Sequence, residues 1–555
     1  MDYSKKRSRE SRTAIEKLYI SMRQLILRGS YKPHGVSGMA LIEALKSLQP
    51  EIYGDMHNPE KSELDGLLYV AQRLPKGIEE CALIKLVARE GYQEAGYPVI
   101  IPAKRRRNCY RVDEDRMYVE MSRGRSDIYD ILTHLTFLVI ESEKIKTHAL
   151  DQKNRLSNNW LRLGEVVQAQ REGKEYDQRQ ALAYLTNVLG RTPAETLRAV
   201  ELFDAAEGVN NLYQFAFGLG QVAVQEYQGH LRREVFFSAQ LREVIGHHVY
   251  GEGWARDIKE YMQKKGWLER PLHIVSANLH SFVNVLYGFS ALRKQEFKDV
   301  FALAMASAQK PEMSQEIKEY ALQNGLHELP DQWGTNLNVQ IIDTAHCEFE
   351  DIPYPMAGAK VAQKPLLFIM DYAFGEQAYE CMDELLKAHE EEDAYTNLNV
   401  QSVSVMGKAG ILNGAKGDIM IPSAHVFEGT GDNYPFDNDL SKKDFAKSGI
   451  RSVEGTMVTV LGTSLQNRDV LYHFLASTWN AVGIEMEGAH YQKALQSAAR
   501  IRKSIPREVK VRYAYYASDN PLQTGSTLSS GSLGAEGVKP TYWITLKILE
   551  KVFSD

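Results

Sequence analysis

Short β-branched and aromatic segments alternate with helical stretches from about residue 331 to the end of this 555-residue chain. Helical stretches such as 376–389 and 470–482 separate those segments. Strands that alternate with helices indicate a parallel or mixed sheet covered on both faces. We therefore predict an α/β domain over residues 331–555, with a mixed central sheet flanked by helices. The predicted strands are 339–342, 365–370, 400–405, 419–421, 456–460 and 509–516.

The preceding 330 residues have a mainly helical pattern. Apolar residues between Ile15 and Ile26 recur at helical spacing, which predicts an amphipathic helix. Alternating residues between Tyr97 and Met121 predict a small hairpin. The glycine-punctuated segment 208–220 has the pattern of a connection. We predict a large mainly helical N-terminal part, which divides into a region with a small hairpin and a second helical region, at 1–150 and 151–330.

Composition narrows the class of protein. Hydrophobic residues make up 44% and charged residues 25% of the chain, and the net charge of −6 gives no drive toward nucleic acid or an anionic membrane. No apolar run approaches the roughly 20 residues that span a bilayer. The four cysteines are scattered without a C-x-x-C pair, which fits a reducing cytosol. We predict a cytoplasmic protein with a small-molecule partner and with neither a metal nor a cofactor.

Two acidic segments near the end of the chain carry the most specific chemistry. Glu485 and Glu487 stand in Gly-Ile-Glu-Met-Glu-Gly-Ala, and Asp519 follows about thirty residues later. When an N-glycosidic bond breaks, the ribose develops oxocarbenium-like positive charge, which a carboxylate on its hydroxyls stabilises. The departing base needs a proton from a positioned acid. Glu487 suits the first role and Asp519 suits the second.

Four ordered segments resemble motifs of the nucleoside phosphorylase and nucleosidase superfamily. Residues 483–489 resemble its ribose-binding segment, and Ser-Asp-Asn-Pro-Leu at 518–522 is similar to the Ser-Asp-x-Pro-Leu of AMP nucleosidases. Residues 405–422 resemble its glycine turn followed by V-G-D-V-V-I-P, and 455–460 resemble its G-T-V-V-T strand. The four matches lie within about 365–550. The resemblance implies a phosphorylase/nucleosidase-like fold for the C-terminal domain and cleavage of a purine nucleoside or nucleotide, with AMP nucleosidase as the most similar group.

The resemblance also implies roles for individual residues. Asp519 would donate a proton to N7 of a purine, and Ser518 would orient it by a hydrogen bond. Glu487 would bind the 2′- and 3′-hydroxyls of the ribose, with Met486 packed beneath the sugar. Glu485 belongs to the same segment and would lie either in the pocket or behind it.

The nucleophile decides between hydrolysis and phosphorolysis. Related phosphorylases carry Gly-Asp-Pro-x-Arg at the end of their first strand, whereas here the strand 366–370 runs into 371–377 without an arginine or a glycine-rich anion cradle. Glu376 falls where nucleosidases place a glutamate that activates water. Glu376 could also be an ordinary acid of a first helical turn. We favour water as the nucleophile, with a phosphorylase as the alternative.

A nucleotide substrate would require cations for its 5′-phosphate. Lys408 lies in the glycine turn with Gly407 and Gly410, and Arg451 precedes the Gly-Thr strand, but either cation could also be a solvated surface charge. AMP nucleosidases continue past Pro-Leu with a basic stretch that this chain lacks, so AMP and an uncharged nucleoside both stay open. The Ser- and Gly-rich segment 526–537 would be a lid or a flexible connection.

The N-terminal 330 residues have no comparable motif. Lys104 to Arg107 form a basic run that could contact a phosphate or nucleic acid, although a solvated loop is favoured. AMP nucleosidases also carry an extra N-terminal region, so the resemblance implies a regulatory or oligomerising role, and we predict a homo-oligomer. A silent nucleotide-binding sensor is a further alternative. The presence of both Glu487 and Asp519 argues against such a sensor.

Overall fold

The computed structural model describes residues 2–293, 297–349, 352, 354, 364–391, 394–428, 430–462, 466–523 and 534–554. Internal contacts divide the chain into two compact units. The first unit comprises Met1–His247 and Gly462–Val470, and the second comprises His248–Leu461 and Leu471–Asp555. Within the described residues, no helix is both long enough and apolar enough to cross a membrane.

The first unit is mainly helical, as predicted, and also contains a six-stranded sheet in the order β1-β6-β2-β5-β4-β3. Strand β2 pairs in parallel with β5 and β6, whereas β4 and β5 form an antiparallel hairpin. The predicted hairpin is therefore one edge of a larger sheet. Its strands are β1 (Ser30–Tyr31), β2 (Leu83–Val87), β3 (Val99–Ile100), β4 (Cys109–Arg111), β5 (Arg116–Glu120) and β6 (Glu234–Phe237).

The helices of the first unit begin with the amphipathic α1, which buries Ile15, Leu18 and Leu25 as its spacing predicts. One interpretation was wrong: the segment 208–220 is largely helical, because Asn211 caps the helix by accepting a hydrogen bond from the Gln214 backbone N–H at 3.0 Å. The helices are α1 (Asp2–Arg28), α2 (Val36–Leu48), α3 (Leu64–Ala71), α4 (Gly124–Ala149), α5 (Asn158–Arg171), α6 (Gln178–Leu189), α7 (Pro193–Asp204), α8 (Leu212–Tyr227) and α9 (Ala239–Val244).

The basic run at 104–107 is not a solvated loop throughout. Arg105 donates two hydrogen bonds to Asp130, both at 2.9 Å, and the buried Arg107 donates to Asp127 at 2.9 Å. Asp127 and Asp130 lie three residues apart on α4, so both carboxylates face the same side of that helix. Burial alone would raise the pKa of Asp130, but the charges of Arg105, His134 and Arg107 hold it well below its usual range.

The second unit is the predicted α/β unit, and its described residues form a ten-stranded mixed sheet. The main path of the sheet is β15-β14-β16-β17-β13-β7-β10-β9-β8, and β18 pairs with β13 and β14. A separate hairpin joins β11 and β12. The strands are β7 (Leu272–Ser276), β8 (Leu326–Leu329), β9 (Val339–Asp343), β10 (Leu366–Met370), β11 (His389–Glu391), β12 (Ala394–Thr396), β13 (Val400–Ile411), β14 (Ile419–Phe427), β15 (Asn433–Pro435), β16 (Ser452–Thr459), β17 (Ala481–Glu485) and β18 (Lys510–Asp519).

Helices cover this sheet and enclose two apolar clusters of buried residues. Leu272, Phe368 and Tyr513 belong to one cluster, whereas Val275 and Leu367 belong to the other, as alternation along strands requires. The helices are α10 (Val249–Lys264), α11 (Leu279–Ala291), α12 (Val300–Gln309), α13 (Pro311–Gln323), α14 (Gln377–Leu385), α15 (Arg468–Ala476), α16 (Gly488–Gln496), which continues into a π-helical turn (Ser497–Arg502), and α17 (Ala535–Val552).

The division of the chain differs from the predicted boundary between residues 330 and 331. Strand β7 lies between β10 and β13 in the centre of the second sheet, although it falls in the predicted helical region 151–330. The second unit accordingly begins at His248. The reason is physical: β7 is buried at all five residues, and a short parallel strand that is buried on both faces has no alternation that separates it from a buried helix.

Candidate active site

Three adjacent strands bring the predicted acids to one place. Gly410 of β13 pairs with Asp519 of β18 on one side and with Ile484 of β17 on the other. Glu485 follows Ile484 directly, and Glu487 follows two residues later. At one strand spacing of about 4.8 Å on each side, the backbones of Asp519 and Ile484 lie roughly 10 Å apart. Two segments distant in sequence thus flank residues 407–410, which form the last part of strand β13 and not the turn that the resemblance implied.

Glu487 caps the N-terminal end of α16 and reaches the loop after β10. Its Oε1 accepts a hydrogen bond from the Gly375 backbone N–H at 2.9 Å. Gly375 has a φ of +55°, a left-handed conformation that glycine adopts without strain. The loop is held in turn by Gln377, whose side chain accepts from the Phe374 N–H at 3.1 Å and donates to the Thr335 carbonyl at 2.7 Å.

Glu485 is bound by the protein itself. One of its oxygens accepts the backbone N–H groups of Glu487, at 2.5 Å, and of Gly488. Its other oxygen accepts the Thr459 hydroxyl, which also accepts the Ala489 N–H at 3.0 Å. Both oxygens of Glu485 are therefore engaged in fixing the start of α16. Of the two positions that the sequence left open, this geometry favours the one behind the pocket.

Glu485 is buried, and Glu487 is half-buried. Burial raises the pKa of Glu487 to about 8, and the neighbouring negative charge of Glu485 adds to that effect. Burial also raises the pKa of Glu485 to about 7, against the hydrogen bonds from Thr459 and from the backbone at Gly488 and Glu487. Two acids that resist ionisation in the absence of a ligand are typical of sites where charge develops during a reaction.

Asp519 ends strand β18 and is buried. Its Oδ1 accepts the Ser518 hydroxyl at 2.5 Å, and Ser518 is 3.2 Å from the Ala409 carbonyl oxygen. Its Oδ2 is buried and has no hydrogen-bond partner among the described residues. Burial raises the pKa of Asp519, whereas the Ser518 hydrogen bond and the charge of Lys408 act in the opposite direction. Asp519 therefore has the environment of a carboxylic acid that can hold a proton for transfer.

Glu376 lies beside this site in the chain. It precedes the first residue of α14 and follows Gly375, whose N–H binds Glu487. The Glu376 side chain is partly exposed. Its backbone carbonyl accepts the N–H groups of Tyr379 and Glu380, so the residue also opens the helix, as the simpler interpretation predicts. Its role as water activator remains a prediction.

The two predicted phosphate ligands differ in their surroundings. Lys408 is exposed on β13 and lies near enough to Asp519 for its charge to lower the pKa of that acid. Arg451 precedes β16 and forms an ion pair with Asp418, at 3.3 Å between Nη1 and Oδ2. Because β16 reaches Glu485 only at its far end, at Thr459, Arg451 lies at the opposite end of that strand. The geometry favours Lys408 over Arg451.

Two further predicted residues, Met486 and Gly407, lie next to the acids of the site in the chain and in the sheet. Met486 stands between Glu485 and Glu487 in sequence, and its side chain is buried. Gly407 pairs with Tyr515 of β18, and a Cβ atom at Gly407 would lie 3.5 Å from the Tyr515 ring. Most of the predicted lid falls outside the described residues, since the structure describes only 534–537 of the segment 526–537.

Several residues of the site carried no sequence signal of their role. Thr459 belongs to a motif that predicted only a strand. In the structure its hydroxyl donates to Glu485 and accepts the Ala489 N–H. Tyr491 contacts Ser276 at 2.9 Å between their oxygens, which ties α16 to the end of β7. The phenol of Tyr515 lies 3.3 Å from Nε2 of the buried His425. The sequence offered one signal for the contact between the Gly375 N–H and Glu487, which is the presence of a glycine directly before Glu376.

Elsewhere in the part of the chain that the structure describes, two groups of side chains lie close enough together to hold a metal ion. In both groups, arginine or lysine side chains of the protein already pair with the acids. Arg233 donates to Glu226 at 2.6 Å and to Glu143 at 2.7 Å. Arg502 pairs with Asp383 at 2.8 Å, and Lys387 pairs with Glu384 at 2.7 Å. These cations make both groups ion-pair networks. The groups are His34, Glu143 and Glu226, and His248, Asp383 and Glu384.

The fold and site define a two-unit protein whose second unit is an α/β domain with a cluster of buried acids. The chain belongs to a family described as a family of unknown function (DUF6909), whose model matches residues 39–310 and 300–554. No curated protein sequence matches this chain.

Three solved structures show a partial likeness. The 5′-methylthioadenosine/S-adenosyl homocysteine nucleosidase of Helicobacter pylori is 13% identical, with 51% of this chain and 98% of that chain covered and a TM-score of 0.32. The futalosine hydrolase of Helicobacter pylori strain 26695 is 12% identical, with 52% and 99% covered and a TM-score of 0.31. The MTA/SAH nucleosidase of Streptococcus pneumoniae, in complex with 8-aminoadenine, is 11% identical, with 51% and 99% covered and a TM-score of 0.30. The chemistry of this chain does not follow from these likenesses.

Proposed function

We propose that this protein hydrolyses the N-glycosidic bond of a purine nucleoside or nucleotide and releases the free base. The observation that carries the proposal is the pairing of Gly410, in β13, with both Asp519 and Ile484, the residue directly before Glu485. A ribosyl group bound at Glu487 and a base bound at Asp519 would then share the space along the end of β13.

Asp519 is the general acid of the proposed reaction. Its buried Oδ2 has no partner among the described residues, and burial raises the pKa of the carboxyl group. A protonated Oδ2 can donate to N7 of the purine as the C1′–N9 bond breaks, so that the base leaves as a neutral molecule. Ser518 holds Oδ1 and thereby fixes the direction in which the proton is presented.

Glu487 is the ribose ligand. Gly375 occupies its Oε1, so the carboxylate is held in place by one hydrogen bond. An ionised carboxylate on the 2′- and 3′-hydroxyls would stabilise the positive charge that develops on the sugar. Glu376, next to Gly375, is the proposed base that removes a proton from the attacking water, so that the sugar product carries a hydroxyl at C1′.

AMP is the nucleotide that we propose as substrate, and adenosine is the uncharged alternative. Lys408 supports AMP, because it is exposed near Asp519 and offers an ammonium group for a phosphate. A cytoplasmic homo-oligomer is part of the same proposal. The four buried cysteines are free, as expected in a reducing compartment.

The direct test is the purified full-length protein incubated with AMP, adenosine, inosine and guanosine, with and without inorganic phosphate. We expect free base together with ribose or ribose 5-phosphate, at a rate that does not depend on phosphate. A requirement for phosphate, with ribose 1-phosphate as product, would establish the phosphorylase alternative. Binding of nucleotide with no free base in any reaction would favour the sensor. The Glu376→Gln variant in the same assay should bind substrate and fail to hydrolyse it.

A further inference from the structure

Glu487 begins α16 but does not cap that helix with its side chain. It is the N-cap residue, and its carbonyl accepts the first intrahelical hydrogen bond, from the Tyr491 N–H at 2.9 Å. The side chain of an N-cap residue commonly accepts an N–H of its own helix, as Asn278 does from Ser281 at 2.8 Å at the start of α11. Among the described residues of α16, none donates such a bond to the Glu487 side chain.

Two buried side chains from outside the helix cap it instead. Glu485 accepts the N–H groups of Glu487, at 2.5 Å, and of Gly488. Thr459, the last residue of β16, accepts the N–H of Ala489 at 3.0 Å. Backbone N–H groups can only donate, so the direction of these bonds is fixed, and they satisfy three of the four N–H groups that a helix start leaves open. The Thr459 hydroxyl also contacts Glu485, which joins the two caps.

This arrangement decides what the Glu487 carboxylate can bind. A carboxylate that caps its own helix is held by the N–H groups and the positive end of that helix. At α16 those N–H groups are already occupied by Glu485 and Thr459. The Glu487 carboxylate instead reaches the loop after β10, where it accepts the Gly375 N–H at 2.9 Å. The helix therefore leaves this carboxylate available to a ligand.

We propose that Thr459 and Glu485 are positioning residues that cap α16 in place of Glu487 and so keep the Glu487 carboxylate available to the substrate. The inference rests on the proposed function, in which Glu487 binds the ribose hydroxyls. Without the Thr459 hydroxyl, the Ala489 N–H needs another acceptor, and the side chain of the N-cap residue is the acceptor that helices ordinarily use. Glu487 would then be drawn to its own helix, in competition with the substrate.

The test is the Thr459→Val variant, measured by KM and kcat for AMP and for adenosine. Valine keeps the shape of threonine, removes the hydroxyl and changes no charge. We expect KM to rise about threefold to thirtyfold, the scale of a lost helix cap, while kcat falls less than about threefold, because the competing bond is already broken in the bound state. Thr459→Ser retains the hydroxyl and should keep KM within about twofold of the wild-type value.

Two further variants separate positioning from packing. Thr545→Val is the matched control: Thr545 is also buried in the second unit, on α17, and its hydroxyl lies 3.0 Å from Ser281 Oγ. Thr545→Val should leave KM and kcat near the wild-type values. Thr459→Ala removes the same hydroxyl as Thr459→Val and should show the same rise in KM, so the test does not depend on the folding of one variant. An unchanged KM without the Thr459 hydroxyl, or an equal rise in Thr459→Ser or Thr545→Val, would overturn the proposal.

A second measurement separates this inference from the proposed function. Hydrogen exchange over residues 371–377 reports on the Gly375 N–H, which Glu487 holds whether or not the protein cleaves a nucleoside. Even if the wild-type protein released no base, Thr459→Val should speed exchange in this segment by about threefold to thirtyfold, because Glu487 leaves Gly375 for its own helix. Thr545→Val should not change it. Exchange over 371–377 that stays at the wild-type rate in Thr459→Val would contradict the proposal, even in a protein that releases free base.

Discussion

In the first unit, Asp127 and Asp130 lie in the core with arginines at hydrogen-bond distance, whereas in the second unit the buried Asp519 and the half-buried Glu487 face hydroxyl and backbone groups. Among the described residues, no lysine or arginine forms an ion pair with Glu487 or Asp519. The pKa values of the acids in the two units are shifted in opposite directions. Burial opposes the shift at Asp130, but its cationic neighbours hold the pKa well below the usual range, whereas burial raises the pKa of Glu487 and of Asp519.

This difference teaches how the same residue type serves two purposes. A buried carboxylate with a cation on each side is a fixed part of the structure, and it gains its stability from a charge that never changes. A buried carboxylate without a cation costs stability whenever it ionises, and it remains able to take up or release a proton near neutral pH. Burial alone does not mark a reactive acid, so the partner of the carboxylate has to be known.

The largest expected effect is on stability, in the first unit, where arginines pair with Asp127 and Asp130. Arg107→Met removes the arginine that donates to both Asp127 and Asp130 and leaves charge uncompensated in the core. We expect a loss of about 3–5 kcal/mol in the free energy of unfolding, measured by urea denaturation. Hydrogen exchange over residues 124–149 should locate the loss in α4. The matched control is Arg162→Met, because Arg162 pairs with Glu165 on the surface, where solvent screens the ion pair, and its loss should change the free energy of unfolding far less. If the two variants lost the same free energy of unfolding, the buried ion pairs would contribute no more than the surface pair, and the prediction would be wrong.

A smaller effect of opposite sign is expected in the second unit. The folded pKa of Glu487 is raised from 4.5 to about 8, so the folded state holds a proton that the unfolded state has released. Its contribution to stability therefore falls as pH rises from about 4.5 to about 8. Glu487→Gln should become more stable relative to wild type across that window.

Thermal unfolding at several pH values would measure this trend. The exposed Glu508 provides a matched control, and Glu508→Gln should leave the pH dependence of stability unchanged. A constant difference between Glu487→Gln and wild type across the whole range would show that Glu487 is ionised in the folded protein and belongs with the paired acids.

The smallest effect concerns the cation nearest to the reactive acids. The positive charge of Lys408 lowers the pKa of Asp519, against the larger effect of burial. Lys408→Met should therefore raise that pKa and shift the alkaline limb of kcat/KM upward by less than about one pH unit, because an exposed charge is screened by solvent. If Lys408 also binds the 5′-phosphate, KM for AMP should rise while KM for adenosine does not. Lys416→Met, which removes an exposed lysine paired with Glu536, is the control. If the alkaline limb of kcat/KM moved to lower pH instead, it would contradict the assignment of that limb to Asp519.

The sequence predicted the strands of the second unit more fully than it predicted the division of the chain and the ends of the helices. Strands with β-branched runs, such as 339–342 and 365–370, lie where the pattern indicates, because period and composition are local properties. The predicted helix 470–482 runs into the first two residues of β17, whereas α15 ends at Ala476. A five-residue strand that closely follows a helix is too short to show its own period.

The parts that the sequence did not predict depend on contacts between distant segments. Arg105 and Arg107 are basic in sequence, and only the fold shows that Asp127 and Asp130, some twenty residues later, neutralise them. His425 stands ninety residues before Tyr515 in the chain and has no motif that marks it. A carboxylate motif predicts which group reacts, whereas the groups that hold it in place are set by tertiary packing.

The central claim is that Asp519 is a general acid, and its most direct test is release of free base by wild type and by Asp519→Asn. We expect turnover to fall by about two to four orders of magnitude while substrate still binds, because the amide keeps a hydrogen bond but cannot give up a proton. Asp519→Asn should not lower the melting temperature, since Oδ2 has no partner among the described residues. Asp437→Asn, at an exposed aspartate of the same unit, is the control. Turnover within about threefold of wild type in Asp519→Asn would contradict the account.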